Sequence, residues 1–476
     1  MTKDLTKGSA FKLMLSFLLP VLAGNLFQQL YNMVDAVIVG RAVSSDAMAG
    51  VSSTGSVTFL VLGFALGLTS GFAVKTSQRF GAHDDAGVRK SVATSLQLCL
   101  LLTVLLTAVA MPLTAPVLRL MQTPKHYFDY AYWYLLICFA GIGATVLYNI
   151  SAATLRAVGD TKTPLMILVA SAVINIGLNL LFVIPLKMHH TGVALATVIS
   201  QFISGGGGLW YMMKKYPVLC PNKEDWKIDF SLWKGHIALG LPMALQFSIT
   251  ALGCIFQQSA VNSLNDEMPG VVTAYAAATK INILFDGVFT ALGTTVATYV
   301  GQNFGAKEYG RIRECVRVGL LYAAVMWAVG MLVNLTLGGV LSGLFFDKNT
   351  GDAALYYDEI IAYAKKYLVF QGVFYGLVSI IHVYRNALQG IGYSALAMFG
   401  GVTELIGRLV AAFLFVKLWA FTGVCLSNPV SWLLTDLLLV TAYYLVIRKF
   451  PAKTADTVIN SVTEQTSSEE ENNDAL

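Results

Sequence analysis

The sequence predicts an all-α membrane protein, with twelve transmembrane helices in two six-helix bundles related by a pseudo-two-fold axis along the membrane normal. Three observations predict it. Only 12% of the 476 residues are charged, 56% are apolar, and the mean hydropathy is +0.65. Soluble domains carry about 25% charged residues, so an ordinary soluble enzyme, a disordered chain and a fibrous one are excluded. Twelve stretches approach the ~20 apolar residues a helix needs to cross ~30 Å of hydrocarbon. The second half of the chain also repeats motifs of the first in the same order.

The spans of the first half are read at 13–37, 49–72, 92–112, 130–150, 164–185 and 191–213. Those of the second half are read at 239–261, 273–298, 315–338, 364–384, 396–416 and 423–446. Each has to be helical, because hydrocarbon offers no partner to an open backbone N–H or C=O. Lys214 to Lys234 is the most polar interior stretch, with Pro217, Pro221, Asn222, Glu224, Asp225 and Lys227. The domain reading is therefore an N-terminal lobe over 1–213, a linker over 214–234, and a C-terminal lobe over 235–452. A tail over 453–476 follows, acidic at Glu469, Glu470, Glu471 and Asp474, and is expected to be disordered.

The repeat has nearly constant offsets. Gln78-Arg79-Phe80-Gly81-Ala82 recurs 224 residues later as Gln302-Asn303-Phe304-Gly305-Ala306. Tyr130, Tyr134, Gly143, Leu155 and Gly159 recur 233 residues later as Tyr363, Tyr367, Gly376, Leu388 and Gly392. Leu19-Pro20 returns as Leu241-Pro242, and Thr191-Gly192-Val193 as Thr422-Gly423-Val424. Six spans per copy is an even number, so both copies point the same way, an arrangement found in secondary transporters that work by alternating access.

Lysine and arginine orient the bundle, because they gather on the cytoplasmic side. With the N-terminus inside, 22 of them fall in inside segments, Arg385 among them, against 8 outside. Both termini and the linker are therefore expected in the cytoplasm, and the protein in the cell (inner) membrane. The six cysteines show no paired spacing and read as small apolar filler. The histidines fall mostly in loops, and His189-His190 is a weak metal motif. No HExxH, Walker A or GxSxG stands in a plausible context, so neither ATP hydrolysis nor another enzymatic activity is expected.

An ionisable group in hydrocarbon costs at least ~2.5–3.5 kcal/mol, so each one needs a reason. The first span holds Gln28, Asn32 and Asp35, and Asp35 is the only acid in the spans of the first half. Asn175 and Asn179 are four apart on the fifth span and share a face; Thr197 lies on the sixth. One carboxylate, two amides and a hydroxyl are hard oxygen ligands suited to a proton or a small cation such as Na⁺. The alternative is interhelical hydrogen bonding that only glues helices together. The repeat maps Asp35 to Gln257, Asn175 to Arg408, Asn179 to Ala412 and Thr197 to Asn428, so the oxygen cluster belongs to the first half alone. The second half has Lys280 and Asp286 on the eighth span, Glu404 and Arg408 four apart on the eleventh, and Asp436 on the twelfth. Gln28, Asn32, Met33, Met243, Lys280, Asp286, Glu404 and Arg408 are candidates for a substrate cleft. Pro20 removes a backbone hydrogen bond from the first span and is a candidate hinge.

The chain resembles the multidrug and toxic compound extrusion (MATE) family over about residues 10–450. The resemblance rests on Pro20, on Gln28-Gln29-Leu30-Tyr31-Asn32-Met33-Val34-Asp35 and on Arg156-Ala157-Val158-Gly159-Asp160-Thr161. Asn175-Ile176-Gly177-Leu178-Asn179, Leu241-Pro242 and Gly301-Gln302-Asn303-Phe304-Gly305-Ala306 follow in family order. It implies a cation-coupled efflux antiporter for amphipathic organic cations, with no cofactor, no nucleic-acid partner and a single chain among membrane lipids. The chain looks closest to members with an aspartate in the first helix, in which that acid, two polar residues of the fifth helix and a threonine of the sixth bind Na⁺ or a proton. Those positions match Asp35, Asn175, Asn179 and Thr197. The second fifth-helix position is commonly Asp, and Asn179 here leaves the choice between Na⁺ and H⁺ open. The alternative implied by the same superfamily is a flippase for lipid-linked saccharides, which would favour a cationic cleft.

Overall fold

The computed structural model describes residues 3–42, 50–51, 53–121, 123–345 and 353–451, with helix but not side chains described at 30–42 and 353–354. The acidic tail expected to be disordered lies outside the described residues. The first-half spans are Ala10–Ala42, Gly55–Gly81, Asp85–Leu120, the pair Lys125–Ala140 and Ile142–Ala157, Lys162–Val183 and His189–Lys215. Those of the second half are Phe230–Asn262, Val271–Gly305, Tyr309–Gly343, Ala353–Ile391, Ser394–Trp419 and Phe421–Ile447. Among the described residues eleven helices are long and apolar enough to cross a membrane, and the bent pair counted as one span makes twelve.

The fourth span is not continuous. It bends by 50° at Gly141, where a side chain would sit 2.7 Å from Val198 Cγ1 of the sixth span. The missing side chain lets the sixth span press into the break. The eleventh span is α-helical over Ser394–Val410, takes a π-helical turn over Ala411–Phe415, and ends at Trp419. That π turn contains Ala412, the repeat mate of Asn179, which sits in regular helix. Pro20 lies inside an unbroken first helix.

One expectation needs correction. The tenth helix extends to Ile391, seven residues past the expected end, which carries Arg385 inside the lobe at 8% exposure rather than into a loop. The stretch 214–234 is a folded strap. It has 3-10 turns at Pro217–Leu219 and Lys223–Trp226, the second closed by a capping box between Asn222 and Asp225. Leu219 is fully buried against Val88, Leu155 and Met212, and Asp225 lies 3.5 Å from Arg89.

The repeat is visible as geometry. His83 and Lys307, 224 apart, both have positive φ (54° and 60°), as do Gly159 and Gly392, 233 apart (86° and 110°). The halves meet by a matching exchange. The first span packs on the eighth, and the second on the seventh and eighth. Small residues allow the second and seventh backbones to approach closely: a methyl on Gly67 would lie 2.6 Å from Ala244 Cα, and one on Gly71 would lie 2.7 Å from Gly240 N. The first span also reaches across. Met14, Phe17 and Leu18 are buried in a core shared with the eighth, ninth and tenth spans, and Tyr322 Oη donates to Phe11 O at 2.8 Å.

One end of this interface is sealed by the repeated motif itself. Gln78 Nε2 donates to Gly390 O at 2.9 Å, and Gln302 Nε2 donates to Ala157 O at 2.8 Å. Ala157 and Gly390 are 233 apart, so the two bonds are pseudo-symmetry mates. The residues before the first helix wedge between the halves here. Lys3 N donates to Val158 O and Leu5 N to Gln302 Oε1, while Leu5 O accepts from Asn303 Nδ2.

Candidate functional site

Three polar regions lie within this frame. The first is in the N-terminal lobe. Asn175 and Asn179 sit one turn apart on the fifth span, each fully buried. Asn179 Nδ2 donates to Asn175 Oδ1 at 2.7 Å, and Asn175 Nδ2 donates to Thr197 Oγ1 at 3.3 Å. Thr197 in turn donates to Val193 O, a turn earlier on its own helix. The structure therefore brings Asn175, Asn179 and Thr197 into one hydrogen-bonded cluster at the contact of the fifth and sixth spans. The first span, which carries Asp35, packs along the fifth. The side chains of Asn32, Met33 and Asp35 lie outside the described residues.

Below this cluster, Gln28 lines a small cavity of ≈ 20 Å³ with Tyr148, Leu168, Ser171, Ala172 and Gln201. A cavity of that size holds a single water. Asn25, one turn earlier on the first helix, donates from Nδ2 to Gly287 O of the eighth span at 2.8 Å.

The second region is in the C-terminal lobe. Glu404 (4% exposed) is gripped from both sides. Arg385 of the tenth span donates to its Oε1, and Arg408 lies 3.6 Å from its Oε2. Arg408 also donates to Asn428 Oδ1 at 3.3 Å, and Asn428 Nδ2 donates to Gln371 Oε1 at 3.0 Å and to Tyr367 Oη at 3.3 Å. Glu404 and Arg408 are thus buried within the lobe rather than open to a cleft. Met243, another cleft candidate, is 7% exposed and packs with Val74 and Leu239 where the second and seventh spans touch. Lys280 and Asp286 are both exposed on the eighth span, Asp286 beside the Asn25–Gly287 contact.

The lobes therefore differ in charge. Repeat-related positions hold neutral oxygens in the first half (Asn175, Thr197) and a bound guanidinium with an amide in the second (Arg408, Asn428). Arg385 was missed as a site residue because a charged residue near a span end reads as loop. Gln371 and Tyr367 were missed because a lone amide or phenol in an apolar stretch carries no signal until its partner is known. Among the described residues no group of three or more His, Cys, Asp or Glu side chains is placed to hold a metal ion.

The third region is the sealed end. A cavity of ≈ 450 Å³ opens there between the two repeat turns, lined by Thr6, Lys7, His83, Lys307 and Glu308.

Comparison with known proteins bears on these regions. A family model described as MatE matches residues 20–181 and 242–414. The probable multidrug resistance protein YoeA of Bacillus subtilis (strain 168) is 30% identical over 352 residues, which cover 72% of this chain and 73% of the relative. The probable multidrug resistance protein YpnP of the same organism is 27% identical over 391 residues, covering 82% of this chain and 84% of the relative. A solved structure described as the outward-facing conformation of a multidrug resistance MATE family transporter of the MOP superfamily superposes with a TM-score of 0.87. It is 20% identical and covers 95% of this chain and 98% of the other, a likeness of fold.

Proposed function

The chain belongs to the MatE family of multidrug and toxic compound extrusion transporters, and from that premise we propose that it is an antiporter of the cell (inner) membrane, exchanging H⁺ or Na⁺ for amphipathic organic cations. The observation that carries this reading is the buried Asn175–Asn179–Thr197 cluster, three neutral oxygen-bearing side chains at the contact of the fifth and sixth spans, both of which touch the aspartate-bearing first helix. Relatives described as multidrug resistance proteins support the substrate class.

In this reading Asp35 supplies the charge, and Asn175, Asn179 and Thr197 supply the neutral oxygens. Burial disfavours a bare carboxylate, and a proton or Na⁺ relieves that cost. Binding biases the N-terminal lobe between two shapes only to the extent that the two shapes bind the ion differently. The amphipathic cation enters between the lobes, where Gln28 and Asp286 are exposed. The lobes over 1–213 and 235–452 move about the strap at 214–234, with the Pro20 region of the first helix as a hinge, and one chain suffices. The excess of inside lysine and arginine puts both termini in the cytoplasm. The sealed Gln78–Gln302 end is then the cytoplasmic gate, and the described form faces outward.

Asp35→Asn keeps the size of the side chain and removes its titration. The expected outcome is normal expression with gradient-driven efflux of ethidium lost. Normal efflux by that variant under a gradient, or collapse of the fold, would sink the assignment of Asp35.

A further inference from the structure

Asp436 on the twelfth span stands apart from the ion network beside it. Its side chain is 6% exposed, and neither carboxylate oxygen has a hydrogen-bond partner among the described residues. Other buried charges of this lobe are compensated: Arg385 and Arg408 both pair with Glu404. The groups that act electrostatically on Asp436 are Arg385 and Glu404, and Asp436 acts on Tyr384. They come from the tenth and eleventh spans, which pack against the twelfth; Arg408 pairs with the other oxygen of Glu404. Glu404 already answers one arginine charge and shares the other. An ionised Asp436 would make the four-group cluster neutral but would keep a carboxylate buried without a hydrogen bond. A protonated Asp436 would leave the cluster with one positive charge and spare that desolvation. Two opposing terms of this kind make a group that changes state when its surroundings change.

His382 lies one turn before Arg385 on the tenth span, and its ring stands 6.2 Å from that of Phe289, one turn after Asp286 on the eighth span. Its Nδ1 is 2.8 Å from Val378 O, which places the ring proton on Nδ1 and leaves Nε2 free to take another. Asp286 is exposed on the eighth span, next to a hydrogen bond between the halves, Asn25 to Gly287.

We propose that Asp436 is a second protonation site, housed in the C-terminal lobe and exchanging its proton with the interlobe space through His382 and Asp286. The step forms one O–H bond at the Asp436 carboxylate with a proton drawn from water between the lobes, and no electrons are transferred. It uses the eighth, tenth and twelfth spans and no residue of the Asn175–Asn179–Thr197 cluster. It therefore goes beyond the coupling reading and stands or falls separately from it.

The test is infrared difference spectroscopy of the purified full chain in nanodiscs, titrated with acid and base and needing no transport. Protonated buried carboxyls are read from their C=O stretch, and aspartates are identified by ¹³C labelling of the aspartate carboxyl. All variants are made in an Asp35→Asn parent, which removes the other aspartate expected to titrate; this parent shows a titrating aspartate band that disappears on adding Asp436→Asn. Proton uptake across the titration falls by about one per protein in that variant. In Asp436→Glu the band persists but no longer shifts with aspartate labelling, which covers the case in which the Asn variant fails to fold. His382→Gln slows the appearance of the band after a pH jump by at least about tenfold, in keeping with loss of a relay. An aspartate band unchanged in Asp436→Asn, or one in Asp436→Glu that still shifts with aspartate labelling, would overturn the proposal.

Discussion

At the residue scale the least replaceable side chain of the C-terminal lobe is Glu404. It is the common partner of Arg385 and Arg408, all three less than 10% exposed. Removing it leaves two buried guanidinium groups without their anion, and breaking a buried pair typically costs ~3–5 kcal/mol. Glu404→Ala is therefore expected to lower the melting temperature of the detergent-solubilised protein by more than Arg408→Ala, which leaves Glu404 its bond from Arg385. Equal melting temperatures for the two variants would contradict the shared-anion arrangement. How far the sequence could have shown this differs by residue. The four-residue spacing made the Glu404–Arg408 pair readable, since neighbours on a helix face meet. Arg385 was not readable, because hydropathy ends a span near its first charge while a helix continues wherever a counter-ion waits. Asn175 and Asn179 were readable as one polar face, because amides at helical spacing in hydrocarbon have few reasons to exist.

At the scale of elements, the repeat turns are the parts that the sequence displayed most openly. Gln78 and Gln302 were matched by their 224-residue offset alone, and each bonds the other half at a position matched by the 233-residue offset. What the sequence did not display is how tightly these turns fit. A methyl on Gly81 would fall far inside van der Waals contact with Gln302 O, and one on Gly305 would do the same to Gln78 O. Gly81→Ala or Gly305→Ala is thus expected to hold this end apart and shift the population toward the form open there. A cysteine at Ser77, buried at 2% exposure beside this contact, reports it in a background lacking the native cysteines. It is expected to resist a polar thiol reagent in the parent and to react at least about tenfold faster with either alanine, the signature of a shifted conformational equilibrium. Equal reactivity in all three would show that the seal is not what excludes the reagent. The bend at Gly141 and the π turn at Ala411–Phe415 were not readable either. Both are answers to a neighbouring helix, Val198 in the first case, and window averages of hydropathy carry no information about neighbours.

For the whole molecule, the inside–outside charge count survives its one correction: without Arg385, 21 positive residues remain inside against 8 outside. In the proposed orientation, a cysteine at the exposed Lys227 is expected to be labelled in inverted vesicles and not from outside intact cells. Labelling in intact cells would reverse the orientation and turn the sealed Gln78–Gln302 end into an external gate. The central claim, coupling of export to a cation gradient, is tested most directly with purified protein in liposomes containing ethidium. A H⁺ or Na⁺ gradient is imposed alone, each in turn, and dye movement is followed by fluorescence. The account predicts dye movement opposite to the imposed gradient for at least one of the two ions, reversing when that gradient is reversed. Dye movement indifferent to both gradients, or transport of lipid-linked saccharides with no movement of dye, would contradict it.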